Sequence, residues 1–219
     1  MVVGLGLIGT GFMGKAHALA YGAARAVFGD VPAVRMACLC DAEPARARAF
    51  ADQFGFAAAT SDWRAVIADP AVDLVSITTP NALHRDMALA AIAAGKAVHC
   101  EKPLALTLAD AQAMAKAADA AGVATLVGYN YVHNPAFTHA CRLIAEGVIG
   151  KPVHFRGWVD EDYQADGDLA WTWRARRADA GLGALGDLGC HLVSMAVALM
   201  GPIASLIADT QIVHATRPM

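Results

Sequence analysis

Short, continuously apolar runs alternate with longer, alanine-rich stretches through the first half of the chain. Val2–Ile8, Val34–Cys40, Phe56–Ala59, Val72–Thr78, Ala97–Cys100 and Ala124–Val127 read as strands. Phe12–Phe28, Glu43–Phe54, Asp62–Ala68, Ala82–Ala94 and Leu108–Ala121 read as helices, the last two closed by Gly95 and Gly122. Such alternation predicts an α/β fold: parallel strands with helices on both faces. Strands covered on both faces should be apolar throughout, and Val72–Ile77 is, apart from Asp73 and Ser76. Beyond Gly128 the pattern changes, and Tyr129-Asn130-Tyr131-Val132-His133-Asn134-Pro135 crowds aromatic and polar side chains together. A helix over Ala136–Glu146 is then predicted, followed by a strand near Pro152–Val159, a Trp-rich loop, a helix from Asp187 and a strand near Ile203–His214. The expected domains are therefore 1–128 and 129–219.

Composition narrows the function classes. The 219 residues, 57% of them hydrophobic, can bury one large domain or one domain and part of a second. A net charge of −3 and the lack of any basic run argue against nucleic acid, which needs clustered Lys and Arg. The five cysteines are odd in number, scattered through apolar runs, and lack the paired spacing of a zinc site. No metal is expected, and buried reduced thiols point to a reducing, cytoplasmic setting. The N-terminus lacks the charged segment of a signal peptide. His191–Ala208 carries no Asp, Glu, Lys or Arg, but Gly201-Pro202 breaks it, so a buried helix and a strand are expected there rather than a membrane span.

Three constellations carry chemistry. Gly9-Thr10-Gly11-Phe12-Met13-Gly14 follows a strand and opens a helix, the setting in which such a turn binds a dinucleotide. Gly9 permits the tight turn, Gly11 lets backbone approach a pyrophosphate, and Gly14 lets helix and strand pack closely. The helix N-terminus then offers free N–H groups to the phosphates. Asp41, at the end of the second strand, suits the adenosine ribose and repels a 2′-phosphate, which favours NAD over NADP; it could equally cap the following helix. No Arg follows it directly, and Arg46 and Arg48 are expected to face solvent. The second constellation is Glu101-Lys102-Pro103, placed by the strand ending at Cys100 in the crevice where open α/β sheets bind ligands. A surface salt bridge is the plain alternative. Third, Asp187, His191 and Ser194 fall on one narrow stripe of an otherwise apolar helix. That wedge must meet a polar cavity or a partner, or form a satisfied His–Asp pair in the core.

Taken together, Gly9–Gly14, Thr79-Pro80-Asn81 with His84, Glu101-Lys102-Pro103, and Asp187 with His191 resemble the glucose–fructose oxidoreductase/inositol dehydrogenase (Gfo/Idh/MocA) family across essentially the whole chain. The resemblance implies a Rossmann-type doubly wound domain followed by an α+β domain on a large open sheet. Residues 129–219 would then be the N-terminal portion of that substrate and oligomerisation domain, and the full-length form a homo-oligomer. It implies that Lys102, Asp187 and His191 are the catalytic group. Thr79, Asn81 and His84 would line the cofactor cleft, with Glu101 and Asn130 near the nicotinamide. Asp162-Tyr163-Gln164-Ala165-Asp166 and Trp171-Thr172-Trp173-Arg174 are similar to the branch that oxidises sugars and anhydrosugars.

The expected function is NAD-dependent hydride transfer from a sugar or polyol carbon. His191 would take the hydroxyl proton, Asp187 would orient His191 or bind a neighbouring hydroxyl, and Lys102 would hydrogen-bond the reacting oxygen. Lys102 and His191 should then approach each other within about one substrate's width. Tyr131, Tyr163, Trp173 and Arg174 suit sugar contacts, although core packing would account for any one of them. Two other readings compete: a non-catalytic NAD(H)-binding regulatory or scaffold protein, and an S-adenosylmethionine methyltransferase. The latter leaves Glu101-Lys102-Pro103 unexplained.

Overall fold

Strand β1 (Val2–Ile8) is buried from Gly4 to Ile8, because the sheet grows outward from it on both sides. In the computed structural model, which describes residues 1–219, β2 (Ala33–Cys40) pairs with one edge of β1 and β4 (Leu74–Ile77) with the other. β3 (Ala58–Thr60) extends the first side, and β5 (Ala97–Cys100) and β6 (Thr125–Val127) extend the second. All pairs are parallel and the order is β3-β2-β1-β4-β5-β6, the doubly wound arrangement. Five helices make the crossovers: α1 (Phe12–Phe28), α2 (Pro44–Phe54), α3 (Trp63–Ala68), α4 (His84–Ala93) and α5 (Leu108–Ala121).

Alternate strand residues feed two separate cores. Leu5, Leu7 and Leu39 pack with Ala18 of α1 and Phe50 and Ala51 of α2. Ile8, Val75, Ile77 and Val98 pack with Val66 of α3, Met87 and Ile92 of α4, and Met114 of α5. Each such Leu, Ile or Val contributes about 1.5–3 kcal/mol by leaving water. Local signals set the helix ends: Thr107 accepts from the Asp110 N–H at the start of α5, and Gly122 ends that helix in the left-handed region at φ 64°. The two polar residues of the fourth apolar run have buried partners. Asp73 accepts from the Gly4 N–H at 2.7 Å, and Ser76 meets the His17 ring at 2.7 Å.

These contacts make Met1–Gly128 one compact unit; Tyr129–Met219 forms a second. The second contains α6 (Pro135–Ala145), whose first amides Asn134 caps, a four-residue turn α7 (Arg177–Ala180), and α8 (Cys190–Met200). All six strands lie in the first unit. The strands expected near Pro152–Val159 and Ile203–His214 are absent, because an apolar run becomes a strand only where a neighbour completes its ladder. Their side chains Val153, Trp158, Leu206, Ile207, Ile212 and Val213 are exposed. The helix expected to be buried from His191 onward is also different: Val193, Val197 and Met200 are exposed, and His191 is the only buried residue of α8. Residues 177–200 would suffice for a membrane span by length and hydropathy alone. Positive φ at Gly181 and Gly183, however, breaks the path. The continuous helical part, residues 184–200, is roughly 25 Å long, short of the about 30 Å of a bilayer core.

Candidate functional site

Parallel register aligns the strand ends of the first unit. Thr60, Cys40, Ile8, Ile77, Cys100 and Val127 are successive neighbours across the sheet. The residues that follow therefore form one row, and each is tied to the strand beside it. Gly9 N–H donates to the Cys40 carbonyl, Thr78 N–H to Ile8, Glu101 N–H to Ile77 and Gly128 N–H to Cys100, all at 2.8–2.9 Å. Asp41, the Gly-rich turn, the Thr79–Asn81 segment and Glu101-Lys102-Pro103 thus share the carboxyl edge of one sheet.

The turn is shaped for close backbone approach. Gly9 has φ 104°, and a Cβ on Gly14 would sit 2.2 Å from the Gly9 carbonyl oxygen, so neither position tolerates a side chain. Gly11 has no neighbouring atom within 4 Å of where a Cβ would stand, and Phe12 and Met13 begin α1 beside that open space, Phe12 strongly exposed. Asp41 is buried and heavily bonded. Its Oδ2 accepts from the Thr10 N–H and hydroxyl, and its Oδ1 from the Glu43 N–H and from Arg46 Nη2 at 2.6 Å. Burial alone would raise the Asp41 pKa, but the Arg46, Thr10 and Glu43 donors bring it below the usual carboxylate value, so the group is ionised at neutral pH. Arg46, expected to face solvent, remains largely exposed yet folds its guanidinium onto Asp41. The attraction of a buried carboxylate five residues away outweighs full hydration.

Glu101 is only 5% exposed. Its Oε2 accepts from the Lys102 N–H at 3.1 Å and its Oε1 lies 2.9 Å from His17 Nε2. Burial pushes its pKa up, and the His17 contact and Lys102 backbone outweigh that, holding the carboxyl below its usual value. Lys102 is half-buried and precedes a cis Pro103. His84 is fully buried, its ring nitrogens 2.9 Å from the Thr79 carbonyl and 3.0 Å from that of Pro103. Burial holds its pKa below the usual histidine value, and the neutral ring donates to one of these carbonyls. His84 thus packs between the two flanking segments and is hydrogen-bonded to one of them. Thr79 is half-buried and Asn81, buried, opens the short 3₁₀ turn Asn81–Leu83. His17, Ser76, His99 and Tyr21 lie outside every motif, and Thr10 and Arg46 had been given no bonding role, yet all join the networks around Asp41 and Glu101. The signal for His17 was present: Ser76 interrupts a buried strand, and a buried hydroxyl requires a partner.

In the second unit, Asp187 and His191 each gather expected substrate residues. Tyr163 donates its hydroxyl to Asp187 Oδ2, and Arg174 Nε donates to the same oxygen at 3.1 Å while its guanidinium lies 4.5 Å over the Trp173 ring. Burial and the Asp187 carboxylate push the Tyr163 phenol up to about 12, keeping it a donor. Tyr131 stacks on the His191 ring at 4.1 Å, with Tyr129 edge-on at 6.3 Å. Asn130 opens the turn that carries Tyr131 and is itself exposed. The expected regular helical stripe is altered at both ends. Asp187 lies in a π-helical turn, Leu185–Gly189, and Ser194 spends its hydroxyl on the His191 carbonyl at 2.8 Å.

A doubly wound sheet with a glycine-shaped turn, an ionised Asp at the next strand end and a Glu-Lys-Pro segment in the same row defines a dinucleotide-binding domain. Residues 3–129 match the oxidoreductase family with an NAD-binding Rossmann fold (GFO_IDH_MocA), and residues 137–218 match the GFO/IDH/MocA C-terminal domain. The chain belongs to the GFO/IDH/MocA family. It is 42% identical over 98% of its length to a levoglucosan dehydrogenase of Pseudarthrobacter phenanthrenivorans, covering 55% of that protein. A structure of levoglucosan dehydrogenase in complex with NADH and levoglucosan superposes with TM-score 0.98 at 40% identity, over 100% of this chain and 60% of that one. An NAD-binding oxidoreductase from Klebsiella pneumoniae superposes with TM-score 0.87 at 48% identity, over 92% and 54%. The chain thus spans about half the length of these relatives.

Proposed function

We propose that this protein is an NAD-dependent dehydrogenase that moves a hydride between a hydroxyl-bearing carbon of a sugar or polyol and nicotinamide. The supporting observation is the row at the carboxyl edge: the Gly9–Gly14 turn, Asp41 and Glu101-Lys102 follow neighbouring strands in a chain of this family. Gly9, Gly11, Phe12, Met13 and Gly14 hold the pyrophosphate, with backbone N–H groups of α1 as donors. The open space at Gly11 fits that task. Asp41 binds the adenosine ribose, and its charge selects NAD over NADP. Thr79, Asn81, Glu101 and Asn130 complete the cofactor site; His84, packed between the Thr79 and Pro103 carbonyls, acts through the backbone it bonds. NAD, when bound, supplies the hydride acceptor.

The chain's own groups handle the proton and the substrate. Lys102 hydrogen-bonds the reacting oxygen, and His191 takes the hydroxyl proton. Asp187, ionically paired with Arg174, offers its carboxylate to a neighbouring hydroxyl. Tyr163, Trp173 and Arg174 supply donors and an aromatic face to a polyhydroxylated ring, and Tyr131 holds the His191 imidazole. The likeness to a levoglucosan dehydrogenase favours anhydrosugars among the substrates. The five cysteines are free thiols, which fits a cytoplasmic protein, and the family resemblance favours a homo-oligomer for the full-length protein. The test is the nicotinamide absorbance of NAD mixed with the protein and a panel of anhydrosugars, aldoses and inositols. Reduction of NAD by at least one is expected; tight NADH binding with no turnover on any would favour the non-catalytic scaffold.

A further inference from the structure

The polar group behind Glu101 has no part in the chemistry described so far. His17 and Tyr21 stand one turn apart on α1, so they share a helix face. His99 and Glu101, two apart, share a face at the end of β5. The two pairs interlock. His17 Nε2 lies 2.9 Å from Glu101 Oε1 and its Nδ1 2.7 Å from Ser76 Oγ. The His99 ring stacks on His17 at 4.4 Å, and the Tyr21 hydroxyl lies 2.8 Å from His99 Nδ1. With His17 Nε2–H donating to the carboxylate, Nδ1 accepts from the Ser76 hydroxyl, and both ring nitrogens are satisfied. Gly128 leaves room for the carboxylate on the far side, since a Cβ there would stand 2.6 Å from Oε1. Its other oxygen holds the Lys102 N–H. Buried, fully satisfied networks of this kind fix one geometry.

We propose that His17 is a positioning residue: it clamps Glu101, and through the Lys102 backbone sets where the Lys102 ammonium stands relative to the helix that binds the cofactor phosphates. α1 thereby ties phosphate binding and the catalytic lysine into one rigid piece. The proposal rests on the catalytic role of Lys102 given above.

The test uses the intact protein and measures kcat, KM and NADH affinity for His17→Leu, His17→Gln, Glu101→Gln, the His17→Leu/Glu101→Gln double variant and Lys102→Ala. A displaced reacting group lowers the rate steeply, so His17→Leu should lose kcat by about tenfold or more while NADH Kd stays within about threefold. His17→Gln, which can place a donor near the former Nε2, should recover most of the loss. The double variant should be no worse than about the poorer single one, as expected for residues acting in series. A His17→Leu kcat within about twofold of the unmodified protein, alongside an inactive Lys102→Ala, overturns the positioning role and leaves the catalytic reading intact. Multiplicative losses in the double variant, or NADH affinity falling in step with kcat in both His17 variants, overturn it as well. Full turnover in Lys102→Ala, or an unmodified protein inert toward the whole panel, overturns the catalytic reading and the positioning role with it.

Discussion

The two units carry polar clusters of opposite build. In the first, His17, Ser76 and Glu101 are each less than a tenth exposed and satisfy one another, with a sheet and a helix to hold them. In the second, Asp187 draws its bonds from Tyr163, itself 44% exposed, and from Arg174, and these lie on loops and short turns. The first cluster can change only at the cost of unpaired buried groups, about 1–3 kcal/mol each. The second can exchange partners with solvent or ligand for less than about 1 kcal/mol a bond. The lesson is a contrast in build: a buried, mutually bonded network holds one geometry, and a half-exposed one is free to exchange partners.

The sharpest break of this comparison comes from removing one reacting group on each side. Lys102→Ala and His191→Asn should each lower turnover by roughly 10²-fold or more with NADH binding largely retained. His191→Asn cannot take a proton near neutral pH, so the pH–rate profile should also flatten on its acid side. Steady-state kinetics with NADH titrations decide both.

Next in size is the phosphate turn. Gly14→Ala puts a Cβ 2.2 Å from the Gly9 carbonyl, and the strain should cost the first unit about 2–3 kcal/mol and weaken NADH binding. Thermal unfolding with and without NADH measures it; an unchanged midpoint would mean that the turn relaxes freely.

Acid should destabilise the first unit through its buried rings. Burial, together with the neighbouring His17, pushes the His99 pKa down to about 4 from an ordinary 6.5. A depressed folded-state pKa gives stability that is complete above 6.5 and is lost as pH falls toward 4. The lowered carboxyls of Asp41 and Glu101 add a further loss below their ordinary range, with the same sign. Unfolding midpoints across this window should drop in the unmodified protein and drop less in His99→Gln.

Asp41→Ala should narrow the preference for NADH over NADPH by about tenfold, worth about 1.4 kcal/mol, since the lost charge no longer opposes a 2′-phosphate and Arg46 is released. Equal affinities in the unmodified protein would contradict the role of Asp41. A last pair of substitutions compares the clusters directly. Ser76→Ala should cost about 1–3 kcal/mol of stability, because His17 Nδ1 is left buried without its hydroxyl, and Tyr163→Phe less than about 1 kcal/mol. Equal losses in the two would erase the distinction between fixed and adaptable networks.

The first unit was legible because each of its apolar runs finds a ladder, so pattern and pairing agree. Its differences are local. Val72 and Asp73 belong to the turn entering β4, where Asp73 ties down Gly4, and β4 itself is shorter than its apolar run. The second unit was less legible in form. Residue type and family resemblance singled out Tyr131, Tyr163 and Arg174 as sugar contacts; Tyr131 stacks on His191 and the other two bond Asp187, along a loop path with no periodicity to read. Near Pro152–Val159 and Ile203–His214 apolar runs look like strands because the pattern records what a segment could bury; pairing depends on a partner elsewhere. His17 escaped notice because its partners lie 59 and 84 residues away, where only the fold brings them together.

If a hydride passes from the sugar carbon to nicotinamide, an isotope on that carbon must travel with it. A polyol or anhydrosugar that reduces NAD in the panel would be supplied with deuterium at its hydroxyl-bearing carbons and the NADH analysed by mass spectrometry. NADH carrying a single deuterium on the nicotinamide ring is expected. NADH formed without deuterium, or no NADH from any member of the panel, would contradict hydride transfer.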